Sequence, residues 1–88
     1  QGRAFSLDGP GPGWGGVRDV ASWDVLNVRN GPGVAFDQVD ALPHNARRVQ
    51  VVNCVEIGTS RGPATWCLVN WQGFQRGWVN SRFLGEDF

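Results

Sequence analysis

The 88-residue chain has no methionine, no lysine and no tyrosine, with two cysteines and a single histidine. Each absence narrows what the protein does. The eight cations are all arginine and are balanced by eight Asp and Glu residues, for a formal net charge of zero. Such a chain lacks the field that gathers nucleic acid or anionic lipid. No apolar run approaches the roughly 18–20 residues that a membrane-spanning helix needs. One histidine, and carboxylates without a recognisable paired spacing, leave no constellation for general acid–base or nucleophilic work. The chain is therefore read as a non-enzyme that carries no cofactor and no metal. With no initiator methionine, Gln1 reads as an end left by processing or by the choice of segment, and removal of a secretory signal would explain it.

What is present suits one small domain, since a chain of this length cannot enclose two packed cores. The aromatic content is five Trp and five Phe. The first sixteen residues hold six of the thirteen glycines and two of the five prolines. Such a stretch offers little side chain to bury and has a high ordering entropy. Residues 1–20 are accordingly expected to form a Gly/Pro-rich arm, with residues 21–88 as the folded domain. Trp14 is the exception within the arm, a large aromatic whose expected use is to dock onto a partner.

From Val17 onward, short apolar runs alternate with Gly, Pro, Asn and Asp at intervals of about eight to twelve residues, and no 3.6-residue period is sustained. This predicts an all-β fold. Candidate strands are Val17–Ser22, Val25–Val28, Gln38–Leu42, Arg47–Val55, Thr65–Trp71 and Arg76–Val79, with a final short strand near Phe83. Turn signals lie at residues 30–33, 43–45, 60–63 and 72–73.

The cysteines fall within two of these strands. Folding the chain about Ser60 and Arg61 brings Cys54 roughly opposite Cys67 on antiparallel neighbours, where a disulfide can form if the register allows. The alternative is a pair of buried thiols, as in a reducing compartment. A zinc site lacks ligands, because only His44 is left to join the cysteines.

Two catalytic patterns occur by chance. Gly58-Thr59-Ser60-Arg61-Gly62 matches G-x-S-x-G, but the strand-to-helix elbow is missing and the one histidine precedes the serine. Gly11, Gly13 and Gly16 match G-x-G-x-x-G with no strand leading in and no helix following. His44, between Pro43 and Asn45, reads as a solvated turn residue. Asp37 and Asp40 lack the third acidic neighbour that a calcium loop would use.

Three phrases follow one another in fixed order: Leu26-Asn27-Val28-Arg29-Asn30-Gly31-Pro32-Gly33, then Trp66-Cys67-Leu68-Val69 with Trp71-Gln72-Gly73, then Gly77-Trp78-Val79-Asn80-Ser81-Arg82-Phe83-Leu84. Together they resemble the bacterial SH3-like (SH3b) domain family over roughly Ala21 to Leu84. The resemblance implies a small SH3-like β-barrel of five to six strands with one short 3-10 turn at Asn80–Arg82. The chain differs from the family in its arm, its paired cysteines and its lack of tyrosines.

The resemblance further implies a non-catalytic recognition module of the cell envelope, periplasmic or secreted, that binds a protein or peptide, including peptidoglycan peptides. A barrel of this size buries only two or three large aromatics, so some of the five tryptophans should face solvent. The expected ligand surface comprises Trp23, Asn27, Arg29, Trp71, Phe74, Trp78 and Arg82, with the two arginines pairing a ligand carboxylate and the aromatics stacking. The other expectation is an accessory subunit of a larger periplasmic complex, held through the arm and Trp14. Neither reading calls for nucleic acid or membrane insertion.

Overall fold

The computed structural model describes residues 13–86, so the first twelve residues of the expected arm lie outside it. Seven strands form: β1 (Trp14–Val17), β2 (Val25–Arg29), β3 (Gln38–Pro43), β4 (Val49–Thr59), β5 (Gly62–Trp71), β6 (Phe74–Asn80) and β7 (Leu84–Glu86). The all-β class is as expected, and the one 3-10 turn among the described residues lies at Ser81–Phe83, one residue beyond the expected Asn80–Arg82, because Asn80 is its extended N-cap. The strand count exceeds five to six because the short β1 and β7 also join the sheet.

Sequence alternation explains most of this. Leu26 and Val28 are buried while Val25 and Asn27 are exposed, and the same two-residue period carries Val49 and Val51 in β4 and Cys67 and Val69 in β5 inward. The hairpin β4–β5 pairs antiparallel from Gln50↔Asn70 to Thr59↔Gly62, with a bulge at Val51–Asn53. Its turn falls at Ser60 and Arg61 as the sequence predicts. Cys54 and Cys67 are directly opposite in this ladder and form a disulfide, with 4.0 Å between their Cα atoms.

The strands hydrogen-bond in the order β3-β2-β6-β5-β4-β1-β7 within one antiparallel sheet. A flat sheet would be about 10 Å thick, whereas the molecule measures 30 × 29 × 26 Å. The sheet is therefore curled on itself. All seven strands send side chains into one core, which includes Val17, Leu26, Leu42, Val49, Val69, Val79 and Leu84.

Two local features tie sequence to this curl. The β5–β6 hairpin turns on Gln72 (φ 52°) and Gly73 (φ 83°), the left-handed pair that a two-residue turn matched to strand twist requires. In β6, Gly77 (φ 139°) approaches β2 so closely that a Cβ there would lie 2.6 Å from the Arg29 carbonyl oxygen. Gly77 thus serves the β2–β6 crossing rather than the turn.

One strand is not where the sequence placed it. Val17–Ser22 was the expected first strand, but the pairing residues are Trp14–Val17, and residues 18–24 form no strand. The β1 segment is short and has two glycines, so little in its own composition favours a strand. It is extended because it is held on both sides. It pairs with β4 through Trp14↔Gln50 and Gly15↔Val49, and with β7 through Gly15↔Glu86, Gly16↔Gly85 and Val17↔Leu84. Val51 N–H also donates to the Gly13 carbonyl at 2.8 Å, and Val17 N–H to the Ala46 carbonyl at 2.8 Å.

Candidate functional site

The outer face of β2, β6 and β5 carries the most distinctive surface. Because Leu26 and Val28, Val79, and Cys67 belong to the core, their neighbours Asn27, Asn80 and Trp66 point the other way. The registers Arg29↔Trp78 and Trp66↔Asn80 place these three on adjacent strands in one row. Trp66 is nonetheless only 5% exposed. It forms part of the wall of a half-open hollow of about 470 Å³, together with the segment after β1, the start of β2, the loop after β2 and Phe83.

The hollow is lined by both apolar and polar residues. Trp66, Phe83, Val20 and Leu26 supply apolar surface, and Asp19, Asp24, Asn27, Asn80 and Arg29 supply charge and hydrogen bonding. Several of the polar groups are partly engaged already. The Asp24 Oδ1 accepts from Val25 N–H at 2.8 Å, which leaves its second oxygen. The Asn80 oxygen accepts from Arg82 N–H at 3.0 Å and caps the 3-10 turn, so what it can offer a ligand is its amide NH2. Asp19 stands at φ 59°, a left-handed backbone that non-glycine residues seldom take, and its carboxylate is 3.9 Å from Arg18 Nε.

Arg29 is anchored rather than free. Its Nη1 donates to the Phe36 carbonyl at 2.9 Å and to the Val34 carbonyl at 3.3 Å, pinning the loop that follows β2. That loop is further held by Phe36, whose ring lies against Gly31 so closely that no side chain fits there. Val34 is thereby held at the edge of the hollow with 76% of its surface exposed.

The residues expected to form one ligand surface separate into groups. Asn27 and Arg29 line the hollow. Trp78 stands beside Arg29 on the same outer face, half-buried. Trp23 is 88% exposed in the turn between Ala21 and Asp24, both of which line the hollow. Arg82 lies with its guanidinium 5.1 Å from the centre of the Phe83 ring. Trp71 and Phe74 are elsewhere, paired across the β5–β6 turn and outside the hollow's lining.

That second cluster has a structural occupation. Trp71 packs against the core and its indole N–H donates to the Arg47 carbonyl at 2.9 Å. Arg76 sits over both rings, 5.3 Å from Trp71 and 5.7 Å from Phe74, and its Nε donates to the Trp71 carbonyl. Its Nη1 reaches Asp40 Oδ2 at 3.1 Å. Asp40 also accepts from Ala41 N–H, and these two hydrogen bonds, the backbone one first, hold its carboxyl below the ordinary value of 3.8. Trp14 forms a third site on β1, half-exposed, with the Arg48 guanidinium 5.3 Å from its ring centre.

Trp66, Phe83, Asn80, Asp19 and Asp24 were not singled out as ligand residues from sequence. The alternation about Cys67 did carry a signal for Trp66, since it assigns the two neighbours to opposite faces. Among the described residues, no three His, Cys, Asp or Glu side chains gather as a metal site would require.

The sequence model of one family, the bacterial SH3 domain, matches residues 24–85, which spans β2 to β7 and the whole hollow apart from the segment after β1. Comparison with curated proteins and with solved structures gives no match.

Proposed function

The chain belongs to the bacterial SH3 domain family, and from that premise we propose that it is a non-catalytic binding module that holds an extended protein or peptide segment, including peptidoglycan peptides, in the hollow over Trp66. One observation carries this reading. A large aromatic lies on the outer face of the sheet, outside the central core, in the wall of a half-open hollow that amides and carboxylates also line. Such a combination of apolar surface and a few polar groups is what a ligand site consists of. Exposed Val25 and Val34 line the hollow and exposed Trp23 lies in the turn next to it, more apolar surface than solvation alone favours.

The Cys54–Cys67 disulfide supports an oxidising location, periplasmic or secreted, because such bonds persist outside the cytoplasm. The test is co-sedimentation with purified peptidoglycan sacculi, using the intact chain and Val34→Arg. The substitution adds a charged side chain at an exposed position on the hollow's edge, where the fold is indifferent to it. Sedimentation of the intact chain and loss by the variant is the expected result. Equal sedimentation of both would remove the hollow from the account.

A second reading, an accessory subunit of a larger complex, is favoured by Trp14, which is 49% exposed on β1. Chemical cross-linking in the native envelope, with and without Trp14→Ala, tests it. A specific adduct that depends on Trp14 supports the subunit reading, and a chain recovered only as a monomer contradicts it.

A further inference from the structure

We infer that the hollow selects a peptide through a cationic side chain, an ammonium or guanidinium group, laid between Asp19 and Asp24 with its aliphatic stem against Trp66 and Phe83. The inference rests on the reading of the hollow as the binding site and adds the chemical class of what enters it. The charges that line the hollow are two carboxylates and one guanidinium. The guanidinium, on Arg29, has Nη1 directed at the Val34 and Phe36 carbonyls, which fixes it toward the loop without cancelling its charge, so two carboxylates against one guanidinium leave the lining with an excess of negative charge. The carboxylates are less committed. Asp24 uses one oxygen on Val25 N–H, and the side chain of Asp19 is 75% exposed and only loosely approached by Arg18, at 3.9 Å.

This reverses the expectation that the site's arginines receive a ligand carboxylate. A ligand acid would meet a lining in which carboxylates outnumber the one guanidinium, and Arg82, the other arginine assigned that role, lies against Phe83 instead. A long cationic side chain fits both kinds of lining, since its methylene stem buries on apolar surface while its charged head stays in water.

The experiment uses the full chain and three fluorescently labelled pentapeptides of glycine with Lys, norleucine or Glu at the centre, read by fluorescence anisotropy at low and physiological salt. The Lys peptide is expected to bind best, and the Glu peptide worst. Asp19→Asn with Asp24→Asn should weaken the Lys peptide about three- to tenfold, as two exposed ion pairs imply, and bring it level with norleucine. Asparagine tolerates the left-handed backbone at position 19, so the doubly substituted chain should keep its melting temperature. Phe74→Ala, at the other cluster, should leave binding unchanged.

Equal affinity for Lys and norleucine, or a Lys affinity that ignores the double substitution and salt, overturns the cationic selection. Binding by none of the three peptides overturns it too. Failure of the hollow itself is read separately, from Val34→Arg, which adds bulk and like charge at the edge: if that change weakens neither the Lys nor the norleucine peptide, the site reading falls with it.

Discussion

Reducing the Cys54–Cys67 bond should lower the melting temperature sharply, and the size of the effect follows from the topology. The two residues are 13 apart in sequence and join β4 to β5 near the middle of the longest hairpin. Closing a loop of that length removes about 3 kcal/mol of chain entropy from the unfolded state. For the 74 residues from 13 to 86, an unfolding entropy of about 2.1 cal/mol/K per residue converts this into a fall of about 15–20 °C. Cys67 is fully buried, so the reduced thiols must also be housed in a core built around the bond. The assay is a thermal melt followed by circular dichroism, with and without a phosphine reductant. Thiol titration of the denatured chain fixes the redox state of each sample. A melt that moves by only two or three degrees, in a sample whose two thiols both titrate, would refute the reasoning. It would show that the hairpin ladder restrains the unfolded chain on its own, and that the bond is no argument for an oxidising compartment.

Two further outcomes follow from the second cluster and from β1. The Asp40 carboxyl is held below its ordinary value by Ala41 N–H and Arg76, so it binds protons less readily folded than unfolded. Its stabilisation is therefore complete above the unfolded pKa of about 3.9 and is lost as the pH falls through the lower, folded value. Urea denaturation of Asp40→Asn should show a shallower loss of stability than the parent below about pH 4, and parallel curves for the two would contradict the assignment. Deleting residues 1–17 removes β1 from between β4 and β7 and takes Val17 from the core. The loss of that burial and of its hydrogen bonds should cost about 3 kcal/mol or more. A truncated chain that melts within a few degrees of the intact one would show that β1 is an appendage.

The difference between what was legible and what was not lies in where the structural signal is carried. The β4–β5 hairpin could be read because β-branched runs on both sides of Ser60 and Arg61 encode strand, turn and register locally, down to the pairing of Cys54 with Cys67. The 3-10 turn was legible for the same reason, since Asn80 caps it from the adjacent position. The first strand was not, because Trp14–Val17 is extended through its partners rather than its own composition. Val17 marked the start of an apolar run, but it is the last residue of β1, and the apolar Val20 beyond it packs against the core and lines the hollow without joining a ladder.

The site shows the same division. Asn27 and Arg29 could be assigned outward from the alternation of Leu26 and Val28, and both do line the hollow. Trp71 and Phe74 have the exposed aromatic character of ligand residues in sequence, yet the β5–β6 turn pairs them with each other and gives their faces to Arg76. Trp66 sits in a strand whose neighbouring residues are in the core, and only its alternation marks it as different. It is buried on the outer face, where it shares the wall of the hollow with the segment after β1, far away in sequence, a placement that local alternation does not carry.

The most direct measurement is residue-resolved chemical-shift mapping of the isotopically labelled chain, titrated with soluble peptidoglycan stem peptides. The account predicts concentration-dependent shifts of the Trp66 indole N–H, the Asn27 and Asn80 side-chain amides and the backbone of Asp19 to Asp24. Shifts confined to Trp71, Phe74 and Arg76, with the Trp66 indole unmoved at saturation, would contradict it.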